Sequence, residues 1–319
     1  MPLSNTILLI VGLAVLILGG ELLVRGASRI ALRLKMSPLV VGVTIVAFGT
    51  SAPELLISIQ AALAGSPDIT MGNVIGSNIC NLALVLGVTA LIAPIPVNSD
   101  SIKIDWPMTM GCSLLLYFLV QEGYVNDYEG IGFVLLLALY LFFIIRRSRK
   151  NHISPQELGI EVEEPTTPAS KKNMFKDFSL IAIGGVGLYF GSDWFVNSAK
   201  DLAIYMGVSE RIVGITIVAL GTSLPELVTS VVAAFKKETD MALGNLMGSN
   251  IFNILSILGI TSLISEIEVS EVIINSDMIW MMGITLLILP FMALNKIVDR
   301  YEGLILVGIY LYYTITVIS

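Results

Sequence analysis

The text GVTIVAFGTSAPE at residues 42–54 returns as GITIVALGTSLPE at residues 214–226, identical at ten of thirteen positions and displaced by 172 residues. A second pair, GNVIGSNICN (72–81) and GNLMGSNIFN (244–253), recurs at the same displacement, so a long block has been duplicated and not a short motif. Any fold for this chain must therefore place two copies of one unit. Both copies sit in long apolar surroundings, and each carries one acid there, Glu54 or Glu226. An ionised side chain at the centre of a bilayer costs about 2.5–3.5 kcal/mol or more, so a duplicated intramembrane acid points to function.

The surroundings are those of an integral membrane protein. Apolar residues make up 55% of the chain and charged residues 13%, mean hydropathy is +0.86, and runs of about 20 apolar residues recur. A soluble fold and nucleic-acid binding are excluded. The pattern predicts an all-α protein with ten transmembrane helices, at roughly 6–25, 38–64, 71–93, 105–121, 129–146, 178–199, 210–235, 242–264, 277–294 and 302–318. The first run lacks a basic leader and a cleavage site, and reads as a retained span. Cys80 and Cys112 fall inside apolar segments, which argues for packing and against a disulfide framework.

With the N-terminus outside, only Lys200 and Arg211 among the 18 Lys and Arg residues lie at outside ends or loops; this bias orients the chain in the cell membrane with its central linker cytoplasmic. Five spans per copy is an odd number, so the second copy enters the membrane upside down. The expected architecture is thus a pair of inverted-topology five-helix repeats, residues 1–146 and 177–319, joined by a polar linker at 147–176 that holds the lone His152. Such repeats are related by a pseudo-two-fold axis in the membrane plane, and transporters built this way bind substrate near the midplane. With both halves in one chain, a monomer can be complete.

The motifs carry their own chemistry. Pro53 and Pro225 remove the amides that would bond the carbonyls of Gly49 and Gly221, which predicts broken second and seventh helices with freed backbone oxygens beside a polar cavity. Glu54 and Glu226 follow each proline directly, in the first turn of a half-helix whose dipole favours an anion. Thr50 with Glu54, and Asn73, Ser77 and Asn81, stand four apart on single helical faces, as do Thr222 with Glu226 and Asn245, Ser249 and Asn253. Gly72-x-x-x-Gly76 and Gly244-x-x-x-Gly248 allow those faces to approach the broken helices. The expected product is a ring of oxygen ligands, suited to a hard cation such as calcium, which takes about 6–8 of them. Zinc or copper would call for His or Cys, and only Cys80 comes near. Glu21, Asp193, Asp105 and Asp277 also match between copies and read as boundary or gating residues.

The paired GTSAPE/GTSLPE and GNVIGSNICN/GNLMGSNIFN motifs resemble the repeats of the sodium/calcium exchanger family, within the calcium/cation antiporter superfamily. The resemblance implies a non-enzymatic secondary antiporter, without a cofactor, that exchanges sodium for calcium by alternating access. It implies calcium on Glu54, Glu226 and the Thr50 and Thr222 carbonyls. Sodium would use the Ala47 and Ala219 carbonyls, Thr50, Ser51, Ser77, Thr222, Ser223 and Ser249, sharing both acids. Some relatives carry Asp where this chain has Asn253; here Asn81 and Asn253 are both neutral, which argues against potassium dependence. The linker is too short for the calcium-sensing insert of animal members. Proton-coupled cation exchange is the alternative; a channel or an intramembrane hydrolase is disfavoured, the latter because no nucleophile or metal-His set accompanies the acids.

Overall fold

The computed structural model describes residues 2–150, 171–207 and 219–318. The described chain is nearly all helix. Helices α1 (Pro2–Leu34) and α6 (Lys171–Tyr205) open the two copies. In the first copy α2 (Pro38–Leu63), α3 (67–92), α4 (101–119) and α5 (Asp127–Lys150) follow. In the second they are α7 (219–235), α8 (Thr239–Ser262), α9 (Ile273–Leu294) and α10 (Arg300–Ile318). Among the described residues α1, α2, α3, α5, α6, α8 and α9 are long and apolar enough to cross a membrane. The helices overrun the expected spans: α1 continues past residue 25 to Leu34, and α5 and α6 extend to Lys150 and from Lys171 into the region read as linker. The rest of that linker, including His152, and the start of the seventh span with Arg211 lie outside the described residues.

Local sequence explains the ends. Ser37 caps α2, its hydroxyl accepting from Val40 N, with Pro38 in the first turn. Asn126 and Glu129 form a reciprocal capping box at the start of α5, with bonds of 3.0 and 2.8 Å. Asp299 and Glu302 repeat it at α10, with 3.0 and 2.9 Å. These equivalents are 173 apart, so the second copy has gained one residue after Asp277.

One expectation is overturned. α2 is not broken at Gly49-Thr50-Ser51: Pro53 lies inside a helix that runs from Ala47 to Leu63. The Gly49 carbonyl still lacks the amide of residue 53, but the neighbouring helical bonds carry the chain across. The irregularity is displaced upstream, to a wide π-type turn at Gly42–Val46 in which Ala47 N reaches Gly42 O. In the second copy the helix does stop, at Gly221, and restarts at Leu224. Pro225 there occupies the first turn, where its missing N–H has no helical partner to lose.

Contacts between the copies are reciprocal. A Cβ on Gly12 would lie 3.0 Å from Gly191 O, and one on Gly19 would lie 2.9 Å from Gly184 O. Gly12 corresponds to Gly184 and Gly19 to Gly191, so the equivalent helices α1 and α6 pack antiparallel, backbone against backbone. Gly87 of α3 meets Gly303 of α10, and its counterpart Gly259 of α8 meets Gly130 of α5. Two short antiparallel strand pairs clasp the loops: β1 (Ile95–Pro96) with β4 (Ile297–Val298), and β2 (Tyr124–Val125) with β3 (Ile267–Glu268). Ile95 faces Val298 and Ile267 faces Val125, the same pairing with the copies exchanged.

Three turns are occupied differently in the two copies. Left-handed backbone occurs at Lys35, Lys237 and Lys296 (φ 54°, 62° and 53°). Their equivalents Gly207, Gly65 and Gly123 hold the same conformation (φ 88°, 76° and 86°). All three lysines lie at the end of the bundle that carries the Arg33–Asp177 and Arg147–Asp100 ion pairs and the β1–β4 clasp. The glycines lie at the other.

Candidate functional site

The two motif helices of each copy meet at the centre of the bundle. α8 is its most enclosed element, with 94% of its most apolar 18-residue stretch buried against 72% for α3. Gly244 and Gly248 permit this: a Cβ on either would come within 2.6 Å of the Leu39 or Val43 carbonyl of α2. The Asn245-Ser249-Asn253 face is thereby pressed against the first copy, as the glycine spacing predicts; among the described residues the same expectation is not met at Gly72 and Gly76, where an added Cβ would meet nothing within 4 Å.

Glu54 and Glu226 are fully buried, and their carboxyl groups are close enough for their charges to act on each other. Around them the copies interlock. Thr50 Oγ1 donates to Asn245 Oδ1 at 3.2 Å and lies 3.4 Å from Ser249 Oγ. Ser51 Oγ donates to Glu226 Oε1 at 3.2 Å. The Ala47 carbonyl accepts from Thr50 Oγ1 at 3.3 Å. Asn73 and Asn245 play matching supporting parts, each donating to the equivalent serine of the preceding helix, Ser58 or Ser230, at 3.2 Å.

Most of the remaining polar atoms here have no partner among the described residues. Both carboxylate oxygens of Glu54, Oε2 of Glu226, the hydroxyls of Ser77 and Ser223, both amide atoms of Asn81 and Oδ1 of Asn253 are buried and unbonded. Each such atom left unmet costs about 1–3 kcal/mol, more for a charged group. This concentration of buried polar atoms without a protein partner sets the cluster apart from the apolar interior around it.

The two halves of the chamber differ. Thr50 and Ser51 of the first copy are engaged across the centre, whereas the equivalent Ser223 is unbonded, as is Ser77. Thr222 is half-buried in the gap between the α7 segments, and Ala219 stands in the short helical turn Ala219–Gly221. Two residues that the spacing did not single out join the site. Asn78 and Asn250 are buried, Asn78 Nδ2 donates to Asn250 O at 3.4 Å, and Asn253 Nδ2 donates to Asn78 Oδ1 at 3.0 Å. Their signal was present in the sequence, since an asparagine follows the serine in both GSN triplets.

The profile of the family described as "Sodium/calcium exchanger protein" matches residues 4–146 and 176–319. The chain belongs to the sodium/calcium exchanger family. CaxA of Alkalimonas amylolytica is 38% identical over 97% of both chains. The sodium/calcium exchanger MaX1 of Methanosarcina acetivorans is 31% identical over 96% of both. Among solved structures, the sodium-calcium exchanger NCX_Mj soaked with zero Na+ and Ca2+ superposes with a TM-score of 0.84 at 29% identity, covering 99% of this chain and 100% of that one. Membership in this exchanger family makes the chain a membrane transporter, and sets the central chamber in the context of cation exchange.

Proposed function

We propose that this exchanger-family protein is a secondary active antiporter that moves calcium against sodium by alternating access at one shared site. The observation that carries the reading is the collection of buried, unbonded oxygens around Glu54 and Glu226. In this reading the acids bind calcium together with backbone oxygens of Thr50 and Thr222. Sodium ions draw on Ala47, Ala219, Thr50, Ser51, Ser77, Thr222, Ser223 and Ser249 and on the same acids, with Asn81 and Asn253 lining the chamber. Because the ions share ligands, they cannot bind together. An empty chamber leaves two anions in a low-dielectric interior and resists crossing, which couples the fluxes.

Other observations support the architecture this mechanism needs. The antiparallel packing of the equivalent α1 and α6, and the reciprocal strand pairs, fit ten transmembrane helices in two inverted repeats. Each strand pair joins loops that the expected topology puts on one side, with the N-terminus outside and the linker cytoplasmic in a cell membrane. The asymmetry of the chamber fits alternating access. One copy has a continuous helix and engaged hydroxyls, the other an interrupted helix and an unbonded serine. Exchanging these two states between the copies would turn the site to face the other side.

The test is calcium-45 uptake into proteoliposomes loaded with sodium, compared with potassium or choline loading and with an imposed pH gradient alone. Uptake that requires internal sodium is expected. Uptake driven by the pH gradient without sodium would replace this reading with proton-coupled cation exchange at the same two acids.

A further inference from the structure

Asp105 lies near the start of α4, at the basic end of the bundle, and is 4% exposed. Tyr140 of α5 donates to its Oδ1 at 3.0 Å. Its Oδ2 is buried and bonds nothing among the described residues, and no Lys or Arg there pairs with it. A buried carboxylate with one bare oxygen is costly to keep, and such a group calls for a partner. Asp105 lines a cavity of about 120 Å³ between the start of α2, the start of α4 and the end of α5, whose other polar walls are Ser37, Asn98, Asp100, Arg147 and Ser148. Arg147 and Asp100, 41% and 39% exposed, form an ion pair of 3.0 Å at the mouth, and Asp105 lies at the floor. Two carboxylates against one guanidinium leave one negative charge in excess. The second copy repeats the carboxyl–phenol pair, Tyr313 donating to Asp277 at 3.1 Å, but Asp277 is half-buried and has no stranded oxygen.

We propose that this cavity is a second cation site, for one small hard monovalent ion such as sodium, taken from the basic end and held by Asp105 Oδ2 with oxygens of Ser37, Asn98 and Ser148. One excess charge matches one monovalent ion, whereas a divalent ion calls for further carboxylates and a soft metal for His or Cys. A water molecule takes about 30 Å³ of liquid, so the cavity has room for the ion and a few waters. The site is separate from the central chamber, since Ser37 and Thr50 stand about 20 Å apart along α2 at 1.5 Å per residue. Ser37 caps α2, and its backbone N–H already donates to Ser148 Oγ at 2.9 Å. An ion here draws the starts of α2 and α4 and the end of α5 together.

The test uses the full chain with both central acids neutralised, Glu54→Gln/Glu226→Gln, so that the chamber no longer offers an anionic site, and reads Tm in sodium chloride against choline chloride at equal ionic strength. Sodium is expected to raise Tm by about 2–4 °C at tenfold its Kd. Adding Asp105→Asn, which keeps an oxygen for Tyr140 and the shape of the cavity, is expected to abolish the response. Val40→Leu, which narrows the cavity and leaves Asp105 in place, is expected to weaken it. Tyr140→Phe leaves the charge in place and is expected to keep it. No sodium response in the parent variant, as for a cavity that holds water only, or a response that survives Asp105→Asn would overturn the proposal. Neither readout depends on which ions the central chamber exchanges.

Discussion

Asn253 shows how closely the chamber is specified. Its amide donates to Asn78 Oδ1, which leaves its own oxygen free, and Asn78 in turn donates across the centre to the Asn250 carbonyl. An aspartate at 253 sets an acceptor against an acceptor unless Asn78 flips and gives up its bond to Asn250. Asn253→Asp is therefore expected to lower stability by about 1–3 kcal/mol, read as a fall in Tm without added cations. If Tm is unchanged, the amide pair is not formed as described. For Glu54→Gln and Glu226→Gln the expected loss of sodium-driven calcium uptake is about a hundredfold or more, the scale of removing one charged partner from a buried electrostatic site. Full uptake by either variant would end the shared-site reading. The acids, threonines and serines of the site were legible in the sequence because duplication marks them twice. Asn78 and Asn250 are marked twice as well, but no spacing within one helix encodes that they meet each other across the centre.

Among the helices, α2 and α7 begin from nearly the same thirteen residues and adopt different forms. Proline chemistry alone predicted two breaks. It could not foresee the π-type turn at Gly42–Val46 upstream of Pro53, where α2 packs against α8. If the two forms must interconvert, restoring an amide at residue 53 should favour the continuous form. Pro53→Ala is expected to leave the protein as stable or more so while slowing exchange several-fold. An unchanged exchange rate would show that α2 need not open. The left-handed lysines make a separate prediction. A non-glycine residue there costs about 1–2 kcal/mol, so Lys35→Gly, Lys237→Gly and Lys296→Gly should each raise Tm, whereas Gly65→Lys, Gly123→Lys and Gly207→Lys should each lower it.

For the molecule as a whole, the glycine-lined contact joins α1 and α6 into a pair, while the strand clasps tie the loops of the remaining helices together at both ends. This division suits a pair that slides past a fixed body. A disulfide between Ile95→Cys and Val298→Cys, in a background without Cys80 and Cys112, is expected to leave exchange running. One between Gly20→Cys and Val228→Cys, where α1 touches α7, is expected to stop it until reductant is added. Arrest by the first or indifference to the second would assign the motion elsewhere. In the sequence an inverted architecture follows from an odd number of expected spans and a biased set of charges; which helices would move does not, since that depends on how the α1–α6 pair packs against the rest of the bundle. The paired turns add a last consequence. In three places the backbone follows one path in both halves, and the halves differ only in whether glycine or lysine occupies it. Shape gives neither half an up or a down. Compass bearing resides in where the basic side chains fall, so a half-molecule stripped of all the Lys and Arg at its inside ends should insert into membranes both ways round.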